Sequence, residues 1–357
     1  MKTNPVILVL DAGGTNLVFN AVQNGRVTGK PVVLPAASAN LNEFLQKLIA
    51  GFKTVNQQSG NNAAAISFAF PGPADYENGI IGDLENLPFF RGGVPLKKML
   101  ENHFKIPVFI NNDGDLFTLG EALGGILPEI NALSEKQYRN LLGITLGTGF
   151  GGGVVIDNRL LKGDNSAAGE INRISNFLNR KQSAESVLSK RGVKRLFSEN
   201  AGIDFSSSPE PFDIYRIATG DMSGNKQAAL KAWDTFAEVL ADAIANAVTL
   251  TDSNVVIGGG LSGAWPLFLQ KTVNLLNGKF VTAQGDPIQR LEVFAYNWHD
   301  PHCRKDFLKS DYSEIKVPFY DETIRWDKEK KITVAISNLG TSEAVALGAC
   351  HFATEKL

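Results

Sequence analysis

Along the 357-residue chain, short unbroken apolar runs alternate with longer stretches in which apolar residues recur every three or four positions, the pattern of an α/β protein. Apolar runs at 6–10, 17–22 and 27–34 predict three strands, with Asn24-Gly25 as a hairpin turn between the last two. Helical spacing over 41–55 leads to a strand at 64–70. A short strand at 107–110 then runs into a helix over 116–123 that Gly124-Gly125 ends. The opening pattern then recurs as a strand at 141–146, a glycine loop at 148–152, a strand at 153–156, an Asp157-Asn158 turn and a further strand from Leu160. Helical spacing follows at 184–197, 211–219 and 226–250. A strand at 254–257 enters Gly258-Gly259-Gly260, and Trp265, Phe268, Leu269, Val273 and Leu276 then mark another helix. A strand at 331–336 and a small-residue helix at 342–354 close the chain, whereas 281–330 is charged, aromatic and without a regular period.

Two halves that each read strand, glycine-rich turn, strand, tight turn, strand and helix predict two similar domains with a cleft between them. The length also exceeds what one core usually holds. With 43% hydrophobic and 20% charged residues the composition is that of a globular protein. A net charge of −2 without a basic block excludes a nucleic-acid or membrane surface as the expected partner. The first apolar run is too short for a secretory signal, and Cys303 and Cys350 cannot form a disulfide framework, so a cytoplasmic setting is expected.

Three glycine loops follow apolar strands. In Asp11-Ala12-Gly13-Gly14-Thr15-Asn16 the glycines let backbone N–H groups close on phosphate oxygens, Thr15 and Asn16 add donors, and Asp11 can hold water around Mg2+. A tight hairpin is the competing reading. The second loop, Gly147-Thr148-Gly149-Phe150-Gly151-Gly152, contains G-x-G-x-x-G with Glu170 downstream, the outline of a dinucleotide fingerprint. That fingerprint needs a helix directly after the glycines, and the apolar run at 154–156 reads as a strand instead. Gly258, Gly259 and Gly260 stand between a strand and a helix, placed to pack against adenine or a phosphate, or simply to allow a close crossing.

Asp113, in Asn111-Asn112-Asp113 at the end of a strand, is the candidate general base: a carboxylate there can take the proton of a sugar hydroxyl attacking a γ-phosphate. A helix N-cap is the competing role for these Asn and Asp residues. Glu170 and Glu185 are candidates to accept hydrogen bonds from sugar hydroxyls, against an ordinary solvated role. The run Trp298-His299-Asp300-Pro301-His302-Cys303 fits no usual zinc spacing and reads as a loop.

In order along the chain, Asp11–Asn16, Phe70-Pro71-Gly72-Pro73, Glu85-Asn86-Leu87-Pro88, Asn112-Asp113 with Gly120-Glu121, Gly147–Gly153, Gly258–Gly260 and Ala346-Leu347-Gly348-Ala349 resemble the motifs of the ROK family of sugar kinases and sugar-responsive repressors. The resemblance implies a two-lobed actin/hexokinase-like ATPase fold of duplicated ribonuclease H-like domains. The lobes would be 1–125 with the closing helix 341–357, and 126–340. It implies ATP and Mg2+, with Asp11, Gly13, Gly14, Thr15, Asn16, Gly147, Thr148, Gly149, Gly258, Gly259 and Gly260 on the ATP side. Asn86, Asn112, Glu170, Glu185 and Gly72 would face the sugar, and Asp113 would be the base for phosphorylation at the 6-hydroxyl of a hexose or N-acetylhexosamine. A homodimer is a further family expectation.

The chain departs from the family where a histidine and a zinc-binding cysteine cluster usually follow Glu170. Arg173 takes the histidine's place, and no cysteine occurs between residues 104 and 302, so no structural zinc is expected and the loop there must be held differently. A sugar-binding regulatory protein without kinase activity is the alternative, although only ten residues precede Asp11, where the family's repressors carry a helix-turn-helix domain.

Overall fold

The computed structural model describes residues 5–12 and 16–357, which form two compact units. One comprises Met1–Pro128, Gly153–Gly169 and Asn338–Leu357, the other Glu129–Gly152 and Glu170–Ser337. Among the described residues no helix is long and apolar enough to cross a membrane.

The first unit is built on β1 (Val6–Ala12), β2 (Asn16–Gln23), β3 (Arg26–Pro35), β4 (Ala63–Ala69) and β5 (Val108–Asn111), in the order β3-β2-β1-β4-β5. The first three strands pair antiparallel, whereas β1, β4 and β5 run parallel. Being covered on both faces, β1 is apolar almost throughout and turns polar only at Asp11. Helix α1 (Leu41–Gln58) starts where Asn40 Oδ1 accepts the Glu43 N–H at 3.0 Å and Glu43 accepts the Ala39 N–H at 2.8 Å, a reciprocal cap. It buries Phe44, Leu48, Phe52 and Val55 against Phe19, Phe68, Phe70 and Phe90.

On the other side lie α2 (Asp113–Gly124) and the closing helix (Thr341–Lys356), which meet backbone to backbone. A Cβ on Gly120 would stand 1.9 Å from the Ala344 carbonyl oxygen, and one on Gly348 would stand 1.9 Å from that of Leu116. Only glycine permits this approach.

The second sheet contains β6 (Leu141–Leu146), β7 (Phe150–Ile156), β8 (Arg159–Leu160), β9 (Asn254–Gly258), β10 (Phe294–Asn297) and β11 (Lys331–Ile336), in the order β8-β7-β6-β9-β11-β10. The second unit holds α3 (Lys190–Ala201), α4 (Pro211–Thr219), α5 (Lys226–Thr251) and α6 (Trp265–Leu276). Its helices meet through side chains: the rings of Trp233 and Phe236 on α5 and Phe268 on α6 lie 5.3 to 6.2 Å apart.

The helix expected over 184–197 is broken. Ala184–Ser186 is a single 3-10 turn, and Ser189 then caps α3 by accepting the Gly192 N–H at 3.2 Å. The irregular 281–330 stretch resolves into β10, two exposed hairpins (Lys279–Val281 with Pro287–Gln289, and Tyr312–Lys316 with Thr323–Asp327) and a short helix, Pro301–Leu308. Asp300 caps that helix, accepting the His302 and Cys303 N–H groups at 2.8 and 2.9 Å, so the His-Asp-Pro-His-Cys run serves local structure.

Candidate active site

Asp113 is the first residue of α2, immediately beyond β5, so the strand–helix junction sets its position. Asn112 is the cap: its Oδ1 accepts the Gly114 N–H at 2.8 Å, a donor that Asp113 Oδ1 shares at 2.9 Å. The cap and the carboxylate roles thus coexist on neighbouring residues. The Asp113 side chain is open to solvent, yet the protein packed around it raises its carboxyl above the ordinary carboxylate value; the nearby Asp11 charge adds to the rise and the Gly114 N–H opposes it. A carboxyl shifted toward neutrality is better matched to proton transfer than an ordinary aspartate.

The same unit brings two other expected residues, Asp11 and Gly72, into this neighbourhood. Asp11 ends the apolar part of β1. Asn112 Nδ2 lies 3.5 Å from the Tyr76 hydroxyl, which donates to the Phe70 carbonyl at 3.0 Å and would be 3.1 Å from a Cβ on Gly72. Asn86 is exposed in the loop that follows the short strand Ile80–Ile81. Asn16 is exposed at the start of β2. Gly13, Gly14 and Thr15 lie outside the described residues.

The glycines of the second loop divide their labour. Gly147 faces open space, and its carbonyl accepts the Lys190 N–H at 2.9 Å. Thr148 is exposed. Gly149 lies under Glu185, whose Oε2 accepts the Phe150 N–H at 3.0 Å and would be 2.9 Å from a Cβ on Gly149. Gly153 packs on the first turn of α2, where a Cβ would be 2.6 Å from the Gly114 oxygen and 2.7 Å from Thr118 Oγ1. Residues 153–169 belong to the first unit, whereas the sequence reading set them in the second. Strand β7 starts at Phe150, so the dinucleotide fingerprint lacks its helix.

Gly259, at φ 88°, lets β9 pass β6: a Cβ there would be 2.4 Å from the Leu146 oxygen, to which Leu261 donates at 2.9 Å. Gly258 is buried at the end of β9. Gly260 lines a pocket of about 300 Å³ with Phe212, Tyr215, Trp233, Leu261 and Lys190. The sequence reading missed Lys190, Phe212, Tyr215 and Trp233. They come from three helices, and no local motif marks them; the one hint was Phe212, an aromatic left 70% exposed just after a helix-starting proline. Glu170 and Arg173 are both exposed at the ends of a short 3-10 turn.

Residues 7–292 match the ROK family model. A crystal structure of a glucokinase from Parabacteroides distasonis is 44% identical, with 100% of this chain and 99% of that one covered at a TM-score of 0.89. The glucokinase of Halalkalibacterium halodurans is 30% identical over 65% of this chain and 71% of its own length. The N-acetyl-D-glucosamine kinase of Vibrio cholerae is 29% identical over 71% and 83%. The two units are therefore those of the actin/hexokinase-like fold. On the family match over most of its length, the chain belongs to the ROK family.

Proposed function

We propose that this protein transfers the γ-phosphoryl group of ATP to the 6-hydroxyl of a hexose or N-acetylhexosamine, with Asp113 as general base. It is an ATP-dependent sugar kinase of its family, as the 44% identical glucokinase and the N-acetyl-D-glucosamine kinase relatives support. The observation that carries the mechanism is the Asp113 carboxyl, fixed at the start of α2 by Asn112, open to solvent and raised in pKa.

Asp113 takes the proton as the sugar oxygen forms its bond to phosphorus and the bond to the departing ADP oxygen breaks. Asn86, Asn112, Glu170 and Glu185 orient the sugar through hydrogen bonds, and the Gly72 loop, braced by Tyr76, backs it. Positioning of this kind supplies much of the rate in phosphoryl transfer. The backbone of Gly13, Gly14 and 147–149, with Thr15, Asn16 and Thr148, receives the phosphates. The adenine enters the pocket lined by Phe212, Tyr215 and Gly260, a cavity walled by aromatic rings with Lys190 at its edge to meet phosphate charge. Mg2+ usually takes one or two carboxylates together with substrate phosphates, and Asp11 fits that role. When bound, the ion neutralises charge on the transferring group.

A coupled ADP-release assay with Mg-ATP across hexoses, N-acetylhexosamines and ketoses, with phosphorus NMR of the product, tests this reading. Turnover that depends on one of the first two classes and yields a 6-phosphate is expected. Sugar binding by calorimetry without turnover would replace the kinase with a sugar sensor.

A further inference from the structure

The family resemblance implies a zinc-held loop after Glu170, and the donors of this chain do not fit one. Residues 104–298 contain neither cysteine nor histidine. Among the described residues, no three His, Cys, Asp or Glu side chains are grouped to hold a metal. The loop that leads to Glu185 nevertheless has a defined course, and one residue holds both of its limbs.

Asn176 is 2% exposed. Its Oδ1 accepts the Leu178 N–H at 3.0 Å, and its Nδ2 donates to Ser186 Oγ at 3.3 Å. Its backbone N–H donates to the Gln182 carbonyl at 2.9 Å, and its carbonyl accepts the Asn179 N–H at 3.1 Å. Ser175 and Ser183 pair across the base, which the Ala184 N–H closes on the Ile174 carbonyl at 2.7 Å. A buried amide with both ends satisfied admits few alternative loop conformations. Ser186, on which the side chain ends, directly follows Glu185, and its carbonyl is held in turn by the Arg195 guanidinium. Glu185 reaches the Phe150 N–H at 3.0 Å from this support.

We propose that Asn176 is a positioning residue which, in place of a metal ion, sets Glu185 over the Gly149–Phe150 loop and so orients the sugar. The proposal rests on the kinase reading for its consequence in catalysis, but the strut itself is a property of the fold.

The test uses the full-length protein and three variants: Asn176→Ala, which removes both side-chain bonds; Ser186→Ala, which removes only the link toward Glu185; and Ser186→Thr, which keeps the hydroxyl. Metal content comes from plasma mass spectrometry, and activity is compared before and after chelator treatment and return to magnesium buffer. For the first two variants kcat/KM for the sugar should fall on the order of tenfold, with a smaller change in KM for ATP, and Ser186→Thr should recover most of the loss. Amide exchange in the segments spanning 147–152 and 174–187 should quicken in Asn176→Ala, a readout that needs no turnover. Wild-type protein should carry far less than one equivalent of zinc and keep its activity after chelation. One bound zinc whose removal reproduces the Asn176→Ala behaviour would overturn the proposal. So would variants with unchanged exchange and kinetics. Wild-type protein without sugar-dependent turnover would count against the kinase reading alone, and exchange and metal content would still decide the strut.

Discussion

The two units solve the same packing problem with different materials. In the first, α2 and the closing helix touch through Gly120 and Gly348, backbone on backbone, and Gly153 rests on the turn that carries Asp113. In the second, α5 and α6 meet through Trp233, Phe236 and Phe268, and the edge of that aromatic cluster continues into an open pocket. Glycine contacts leave no room for adjustment, because any added atom meets a carbonyl. Side-chain contacts tolerate rotamer changes and can receive a flat ligand. The rigid arrangement lies under Asp113, to which the account assigns the proton, and the adaptable one lies where it seats a nucleotide base.

If this contrast is right, Gly348→Ala should be the most damaging small substitution. Its methyl group would meet the Leu116 carbonyl oxygen and push α2 away from the closing helix, at a cost of about 3 kcal/mol or more. Differential scanning fluorimetry should register this as a clear fall in Tm, with activity falling further than the unfolded fraction explains. A variant as stable and active as wild type would remove the rigid half of the comparison.

Phe212→Ala probes the other half. The ring is largely exposed, so its loss should leave Tm within about 1–2 °C of wild type. KM for ATP should nonetheless rise about five- to tenfold, the order expected for one ring stacked on a base, while KM for the sugar stays put. Equal changes in both constants would argue against an adenine pocket there.

The smallest effect belongs to His299. It is half-buried, burial holds its pKa below the ordinary histidine value, and its Nε2 accepts the Ile336 N–H at 2.9 Å, which requires the neutral ring. The Ile336 carbonyl, 3.3 Å from the same nitrogen, and Glu129 oppose that shift, and Arg304 assists it. Because the folded pKa is depressed, the unfolded chain binds the proton more readily. The stabilisation is therefore complete above about pH 6.5 and is lost as pH falls through the folded value. Between pH 7.5 and 5, Tm of the wild type should drop about 1–3 °C more than that of His299→Gln, in which an amide oxygen can accept the same N–H at either pH. Parallel curves would show that this bond does not report on protonation.

Strands and glycine loops were legible in the sequence because their signals are local. An apolar run such as 6–10 has few ways to be buried, and glycines before or after such runs mark close approaches. What those approaches serve was less legible. Gly151 and Gly153 sit in one motif, yet the first faces Thr145 and the second packs on α2, a distinction only tertiary contacts can make. The helix expected over 184–197 failed because periodicity carries no mark for the turn at Ser189 that releases Glu185 toward Phe150. Pocket residues from three helices were invisible for the same reason, since their neighbourhood exists only after α3, α4 and α5 have packed.

The most direct test of the central claim is kcat of Asp113→Asn at saturating sugar and Mg-ATP, with binding of both ligands followed by calorimetry. The substitution keeps the size of the side chain and removes only its ability to take a proton. A fall of roughly 10²- to 10⁴-fold in kcat, with both ligands still bound at near wild-type affinity, is the expected result. Turnover within a few-fold of wild type would contradict the assignment of Asp113 as the base.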